Sequence, residues 1–108
     1  MLLFIRDHVE PILSGRKTQT RRRGGKRWNV GTVHQARTTM FGDPFAYLLI
    51  AGVYRQALGD MPADDALREG YDNLLAYREV WVRINKSWDP KEAVWVVNFS
   101  LYKMGEKK

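Results

Sequence analysis

The run Ala46-Tyr47-Leu48-Leu49-Ile50-Ala51-Gly52-Val53-Tyr54-Arg55-Gln56 limits the possible folds more than any other part of the chain. In extended backbone, Leu48, Ile50 and Gly52 point one way, and Tyr47, Leu49, Ala51 and Val53 point the other. A strand with one wet face would alternate apolar with polar residues. Apolar residues on both faces require cover on both sides. A barrel interior on one side and a helix on the other supplies it. A buried helix is the competing reading, but β-branched residues and Gly52 favour the strand.

The remaining segments fit around that strand. Leu2-Leu3-Phe4-Ile5 reads as a short buried strand. A helix starts at Asp7 or His8, carries Pro11 in its first turn, where a missing N–H costs little, and ends at Gly15. Lys17 to Arg22 is extended, with Thr18, Thr20 and Arg22 on one face and Gln19, Arg21 and Arg23 on the other. Gly24-Gly25 makes a turn, and a further turn falls at Asn29 to Gly31. Val33 to Thr38 is a strand and Phe41 to Pro44 a loop. A short helix spans Ala63 to Arg68. Asp72 caps another, whose stripe is Leu74, Tyr77, Trp81, Ile84 and Trp88, closed by Asp89-Pro90. Ala93 to Tyr102 is a last strand with Trp95, Val97, Phe99 and Leu101 on one face, and residues 105–108 form a mobile charged tail. Terminal strands, a hairpin-rich middle and three helices make an α+β domain. A small, partly closed β-barrel with helices outside is the expected architecture. At 108 residues the chain is one domain, 1–108.

The net charge of +6 favours anionic partners, nucleic acid first. The charge is clustered: seven basic residues lie between Arg16 and Arg27, with no acid among them. Arg16, Arg21, Arg22, Arg23, Lys26 and Arg27 are candidate phosphate contacts. Trp28 is either a stacking platform or a core residue. Acidic residues gather at Asp60, Asp64, Asp65, Glu69 and Asp72, so the two segments either form separate faces or pair. With no cysteine, disulfides and thiol chemistry are excluded. His8 and His34 are the only histidines, have no metal-ligand spacing, and read as surface or cap residues, so no metal or cofactor is expected. No apolar stretch is long enough to span a membrane, and a cytoplasmic location is the expectation.

Three residues carry candidate chemistry. Lys17 sits at the bend between Gly15 and the strand, where its side chain can fold back over Thr20. Neighbouring arginines lower a lysine pKa, and a neutral lysine could take the Thr20 hydroxyl proton so that the oxygen attacks a carbonyl. Glu69, just before the turn at Gly70, could orient Lys17 or pass a proton to a leaving amine. The plainer reading makes Lys17 a phosphate-contacting charge, Thr20 a strand residue and Glu69 a salt-bridge partner of the basic run. Thr18 and Tyr71 are candidate substrate contacts.

The stretch Ile12-Leu13-Ser14-Gly15-Arg16-Lys17-Thr18-Gln19-Thr20-Arg21-Arg22, with Trp28-Asn29-Val30-Gly31, Ala66-Leu67-Arg68-Glu69-Gly70-Tyr71 and Trp95-Val96-Val97-Asn98-Phe99, resembles the ASCH domain family. The resemblance implies a PUA-like fold, a small β-barrel flanked by helices, with a cleft for RNA or a nucleoside. One branch, the N(4)-acetylcytidine amidohydrolases, uses a lysine, a threonine and a glutamate, which fall on Lys17, Thr20 and Glu69. The cleft arginine falls on Arg22. The basic run exceeds what a nucleoside hydrolase needs and points to a polymeric substrate. The expected function is RNA or modified-nucleoside binding with amide hydrolysis on a cytidine. The alternatives are a non-catalytic RNA-binding module and a metal-independent ribonuclease.

Overall fold

A computed structural model describes residues 1–105. Residues 106–108, most of the expected mobile tail, lie outside the described residues. Five strands form one sheet in the order β1-β3-β4-β5-β2. They are β1 (Leu2–Leu3), β2 (Gln19–Arg22), β3 (Val33–Arg37), β4 (Ala46–Ala57) and β5 (Ala93–Met104). The β1–β3 pair is parallel and the others are antiparallel. The sheet curls into a half-barrel. Its two end strands, β1 and β2, make no backbone hydrogen bond to each other among the described residues, which leaves a seam.

The strand expected at 46–56 is the long central β4. Its apolar residues do not keep simple alternation, because Ile50 pairs with Phe99 and Gly52 with Asn98, so Ala51 is an extra residue. This bulge returns Val53 to the side of Leu48 and Ile50, where it packs against the barrel core, while Ala51 is exposed. The core also takes Leu2, Phe4, Trp28, Val97 and Phe99. A second cluster, including Leu58, Ala66, Tyr77, Trp81 and Val94, lies under the helices. β5 serves both, with Val97 and Phe99 in the barrel and Val94 beneath the helices, as a period of two requires.

Three α-helices flank the sheet: α1 (Val9–Leu13), α2 (Ala63–Arg68) and α3 (Leu74–Asn85). α1 follows a 3-10 turn over Arg6–His8. α3 departs from expectation at both ends. Its cap is Asn73, not Asp72, with the Asn73 side chain accepting from the Ala76 N–H at 2.8 Å. It stops at Asn85 because Lys86 turns left-handed at φ 71°, well before Asp89-Pro90. The apolar stripe is therefore shorter: Tyr77 and Trp81 are buried, Leu74 and Ile84 are exposed, and Trp88 packs from the following loop.

Candidate functional site

Two helix endings hold the site. α1 ends at Ser14, and Gly15 follows at φ 81° with its N–H on the Ile12 carbonyl. The Lys17 N–H then bonds the Pro11 carbonyl at 2.9 Å. α2 ends at Glu69, and Gly70 follows at φ 98°. The Gly70 N–H reaches the Leu67 carbonyl and the Tyr71 N–H the Ala66 carbonyl, the paired bonds of a Schellman cap. A side chain at Gly70 would be strained at that φ, although a Cβ there would meet the Lys17 stem only at ordinary contact distance. The Thr18 N–H donates to the Arg68 carbonyl at 2.8 Å, tying the two endings together. Lys17 and Glu69 are thus brought face to face by backbone geometry.

Their side chains are almost wholly buried. Lys17 Nζ donates to the Gln19 carbonyl at 2.9 Å, the Glu69 carbonyl at 2.8 Å and Glu69 Oε1 at 3.0 Å. All three ammonium protons therefore have acceptors. Burial holds the Lys17 pKa below the usual lysine range. Glu69 opposes that shift, while Arg22 and Arg21 add to it. Sequence reasoning had the lysine folding over Thr20. Instead it turns to the carboxylate, and the Thr20 hydroxyl accepts from Arg22 Nε at 3.1 Å.

Arg21 corrects the expectation of a phosphate contact. It is buried, with Nη1 on Glu69 Oε2 at 2.9 Å and Nη2 on Asp65 Oδ2 at 2.7 Å. Gln19 and Gln56 also accept from Nη1 and Nη2, Nε has no partner among the described residues, and Arg68 reaches Asp65 from the surface. The basic and acidic segments therefore pair here. Asp65, Gln19 and Gln56 were missed; the spacing of Asp65 and Glu69, one helical turn apart, was the available signal. Trp28 is likewise no stacking platform, because its ring is buried in the barrel core.

A cavity of about 400 Å³ occupies the seam. Phe4 and Ile5 flank one edge, Thr20 and Arg22 the other, and Tyr77 and Trp81 of α3 form an aromatic wall. Lys17, Glu69 and Tyr71 also line it. Thr18 does not. It borders a smaller hollow of about 250 Å³ with Arg16 and Arg68, and Tyr71 borders both. Arg16, Lys26 and Arg27 are exposed, and Arg23 is half exposed with its Nε on Glu92 at 2.6 Å.

His8 occupies the N-cap position of α1, as one of the two expected roles had it, but its side chain caps nothing there. It lies half-buried at the cavity, hydrogen-bonded through Nε2 to the Tyr71 hydroxyl. Burial, with Lys17, Arg22 and Arg83 nearby, pushes its pKa down to about 3. Burial and Glu69 raise Tyr71 to about 12, so the phenol keeps its proton and donates to a neutral imidazole. A histidine neutral in the folded state and titrating near 6.5 when unfolded contributes stability above that pH, lost progressively as the pH falls toward 3. Because His8 is partly solvated, the expected loss between pH 7 and pH 5 is about 1–2 kcal/mol. Urea unfolding at both pH values should show that extra loss in the wild type but not in His8→Gln. Equal losses would mean that His8 is not held neutral.

Among the described residues no group of acidic or histidine side chains could hold a metal ion. No helix among them is long and apolar enough to cross a membrane.

A half-barrel sheet with helices over its seam defines an α+β, PUA-like small barrel. Solved structures narrow the class to the ASCH fold. The ASCH domain of Lactobacillus crispatus superposes with a TM-score of 0.66 at 20% identity, covering 86% of this chain and 69% of that one. Protein EF3133 of Enterococcus faecalis gives 0.69 at 15%, with 94% and 74% covered. The ASCH protein of Zymomonas mobilis gives 0.68 at 12%, with 95% and 67% covered. No family model matches the sequence, and no curated protein matches it significantly. The chain has the ASCH-domain fold.

Proposed function

We propose that the seam cavity binds RNA or a modified nucleoside and hydrolyses the amide of N(4)-acetylcytidine. The observation that carries this reading is that Lys17, Thr20 and Glu69 all line one cavity, of a volume suited to a nucleoside. Burial holds the Lys17 pKa below the usual lysine range, and its ammonium passes a proton to the Glu69 carboxylate 3.0 Å away. The neutral amine then swings from Glu69 toward Thr20 and takes its proton as Oγ1 attacks the acetyl carbonyl. Arg22 Nε, already on Oγ1, stabilises the oxygen as charge develops. Glu69 returns its proton toward the departing N4 amine, which releases cytidine. Water then cleaves the threonine ester to acetate and restores the hydroxyl. The test is incubation with N(4)-acetylcytidine, following cytidine and acetate. Absence of both products from the wild type would remove the hydrolase.

A second reading, a non-catalytic RNA-binding module, draws support from a different observation. Lys17 and Glu69 satisfy each other, while Arg16, Lys26 and Arg27 are exposed. It leads to steeply salt-dependent RNA binding that survives Thr20→Ala. RNA breakdown persisting in chelator would instead indicate a metal-independent ribonuclease using the same cleft.

A further inference from the structure

A separate cavity of about 420 Å³ lies beside α3 and shares no lining residue with the seam cavity. Leu58 and Met61, buried in the second core cluster, meet Leu74 and Leu75 of α3 there, with Trp88 and Pro90 from the loop after the helix. Backbone bonds tie its frame. The Leu58 N–H donates to the Glu92 carbonyl at 2.9 Å, and the Gly59 N–H to the Pro90 carbonyl at 2.8 Å. Only a glycine allows that approach, since a Cβ at Gly59 would lie 2.8 Å from the Pro90 Cβ.

The apolar stripe expected along α3 runs from Leu74 to Trp88, yet its two ends do not enter the core. Leu74 is exposed, Leu75 beside it is 65% exposed, and Trp88 is half-buried. These side chains line the cavity and leave apolar surface that a guest of matching shape would take out of water.

Arg78 is the one charged residue among the lining residues. It makes no ion pair among the described residues, and its guanidinium carbon lies 5.2 Å from the centroid of the Trp88 ring. The indole thus holds a planar fork of donors beside apolar walls, and no carboxylate lines the cavity to offset its charge. The complementary guest has an apolar body and a single carboxylate, which a guanidinium can meet through two parallel bonds. Arg78 is exposed, so that pair orients the guest while apolar contact supplies most of the affinity.

We propose that this cavity binds a small amphipathic monocarboxylate, a medium-chain aliphatic acid, with its chain against Leu74, Leu75 and Trp88 and its carboxylate on Arg78. The site is independent of the chemistry proposed for the seam. Calorimetric titration of the full chain with butyrate, hexanoate, octanoate and uncharged octan-1-ol tests it, using the wild type, Arg78→Gln, Leu75→Glu, Arg22→Gln and Arg55→Gln. Arg55 is the matched control, because it rests on Trp95 at 4.9 Å but lines none of the three cavities. The indole N–H signals are followed by NMR in parallel, the Trp88 signal being the one missing from Trp88→Phe.

Affinity should rise on the order of tenfold for each added pair of methylenes. Octanoate should bind about fivefold more tightly than octan-1-ol, as one exposed ion pair allows. Arg78→Gln should erase that advantage, Leu75→Glu should abolish octanoate binding, and Arg55→Gln should change neither. The Trp88 signal should shift with octanoate. Equal binding of octanoate and octan-1-ol by the wild type would overturn the carboxylate site. So would binding that ignores chain length, which would mean surface ion pairing alone. Octanoate binding lost in Arg22→Gln but kept in Arg78→Gln would place the guest in the seam and overturn the proposal, as would no saturable binding at all. Should Leu75→Glu fail to fold, Arg78→Gln and the Trp88 shift decide.

Discussion

Glu69→Ala should destabilise the protein by about 3–5 kcal/mol, the usual cost of breaking a buried ion pair from one side. The carboxylate serves two cations, Lys17 at 3.0 Å and Arg21 at 2.9 Å. Its loss strands the Lys17 ammonium with only carbonyl acceptors, while Arg21 keeps Asp65. Truncating the other end is not equivalent. In Lys17→Met the stem is replaced by an apolar chain of similar reach, and Glu69 retains Arg21, so the cost should be about 1–2 kcal/mol. The asymmetry is the test. Urea titrations of both variants should separate them, and for a domain of this size Glu69→Ala should lower Tm by roughly 10 °C or more. Equal costs would mean that Lys17, not Glu69, is the hub of the network.

Thr20→Ala should lower the rate of N(4)-acetylcytidine hydrolysis on the order of 10³-fold or more, because no other hydroxyl occupies its place at the start of the reaction. Thr20→Ser keeps the oxygen and should retain most of the activity. The loss should fall on kcat, with KM little changed, since attack rather than binding needs the oxygen. Thr20 accepts one bond, from Arg22 Nε, and a water in the cavity can replace that acceptor, so the stability cost should be near 1 kcal/mol. A Thr20→Ala enzyme of undiminished kcat would exclude threonine as the nucleophile. Lys17→Ala removes the proposed base and should also lower kcat.

Local pattern made much of the fold legible. Ala63–Arg68 is helical as its flanking Met61-Pro62 and Glu69-Gly70 predict, and Trp95, Val97, Phe99 and Leu101 share a face as a period of two requires. What escaped was set by partners far along the chain. The Ala51 bulge depends on the register against β5 and leaves no mark in composition. Ending α3 at Asn85 depends on Lys86 adopting a left-handed conformation that lysine rarely prefers.

The site divides in the same way. The positions of Lys17, Thr20 and Glu69 could be named from motif spacing, but the direction of the lysine could not. Charge density alone cannot say which arginines of one run face inward. Arg21 and Arg23 fall on the same strand face, yet Arg21 is buried and Arg23 is not, because the carboxylates of Asp65 and Glu69 meet Arg21 while β2 ends at Arg22. Trp28 is core because the barrel interior needed filling, and a tryptophan after a glycine turn fits either role equally in one dimension.

The unzipped edge between β1 and β2 has a mechanical consequence. A closed barrel must break ladder hydrogen bonds to admit a guest, whereas here, among the described residues, no backbone hydrogen bond joins the two margins and Arg22 rests on Phe4 across them. Swinging one guanidinium aside would widen the entrance while every strand pairing of the sheet stays made, so the rigid part of the molecule and its doorway are different sets of atoms.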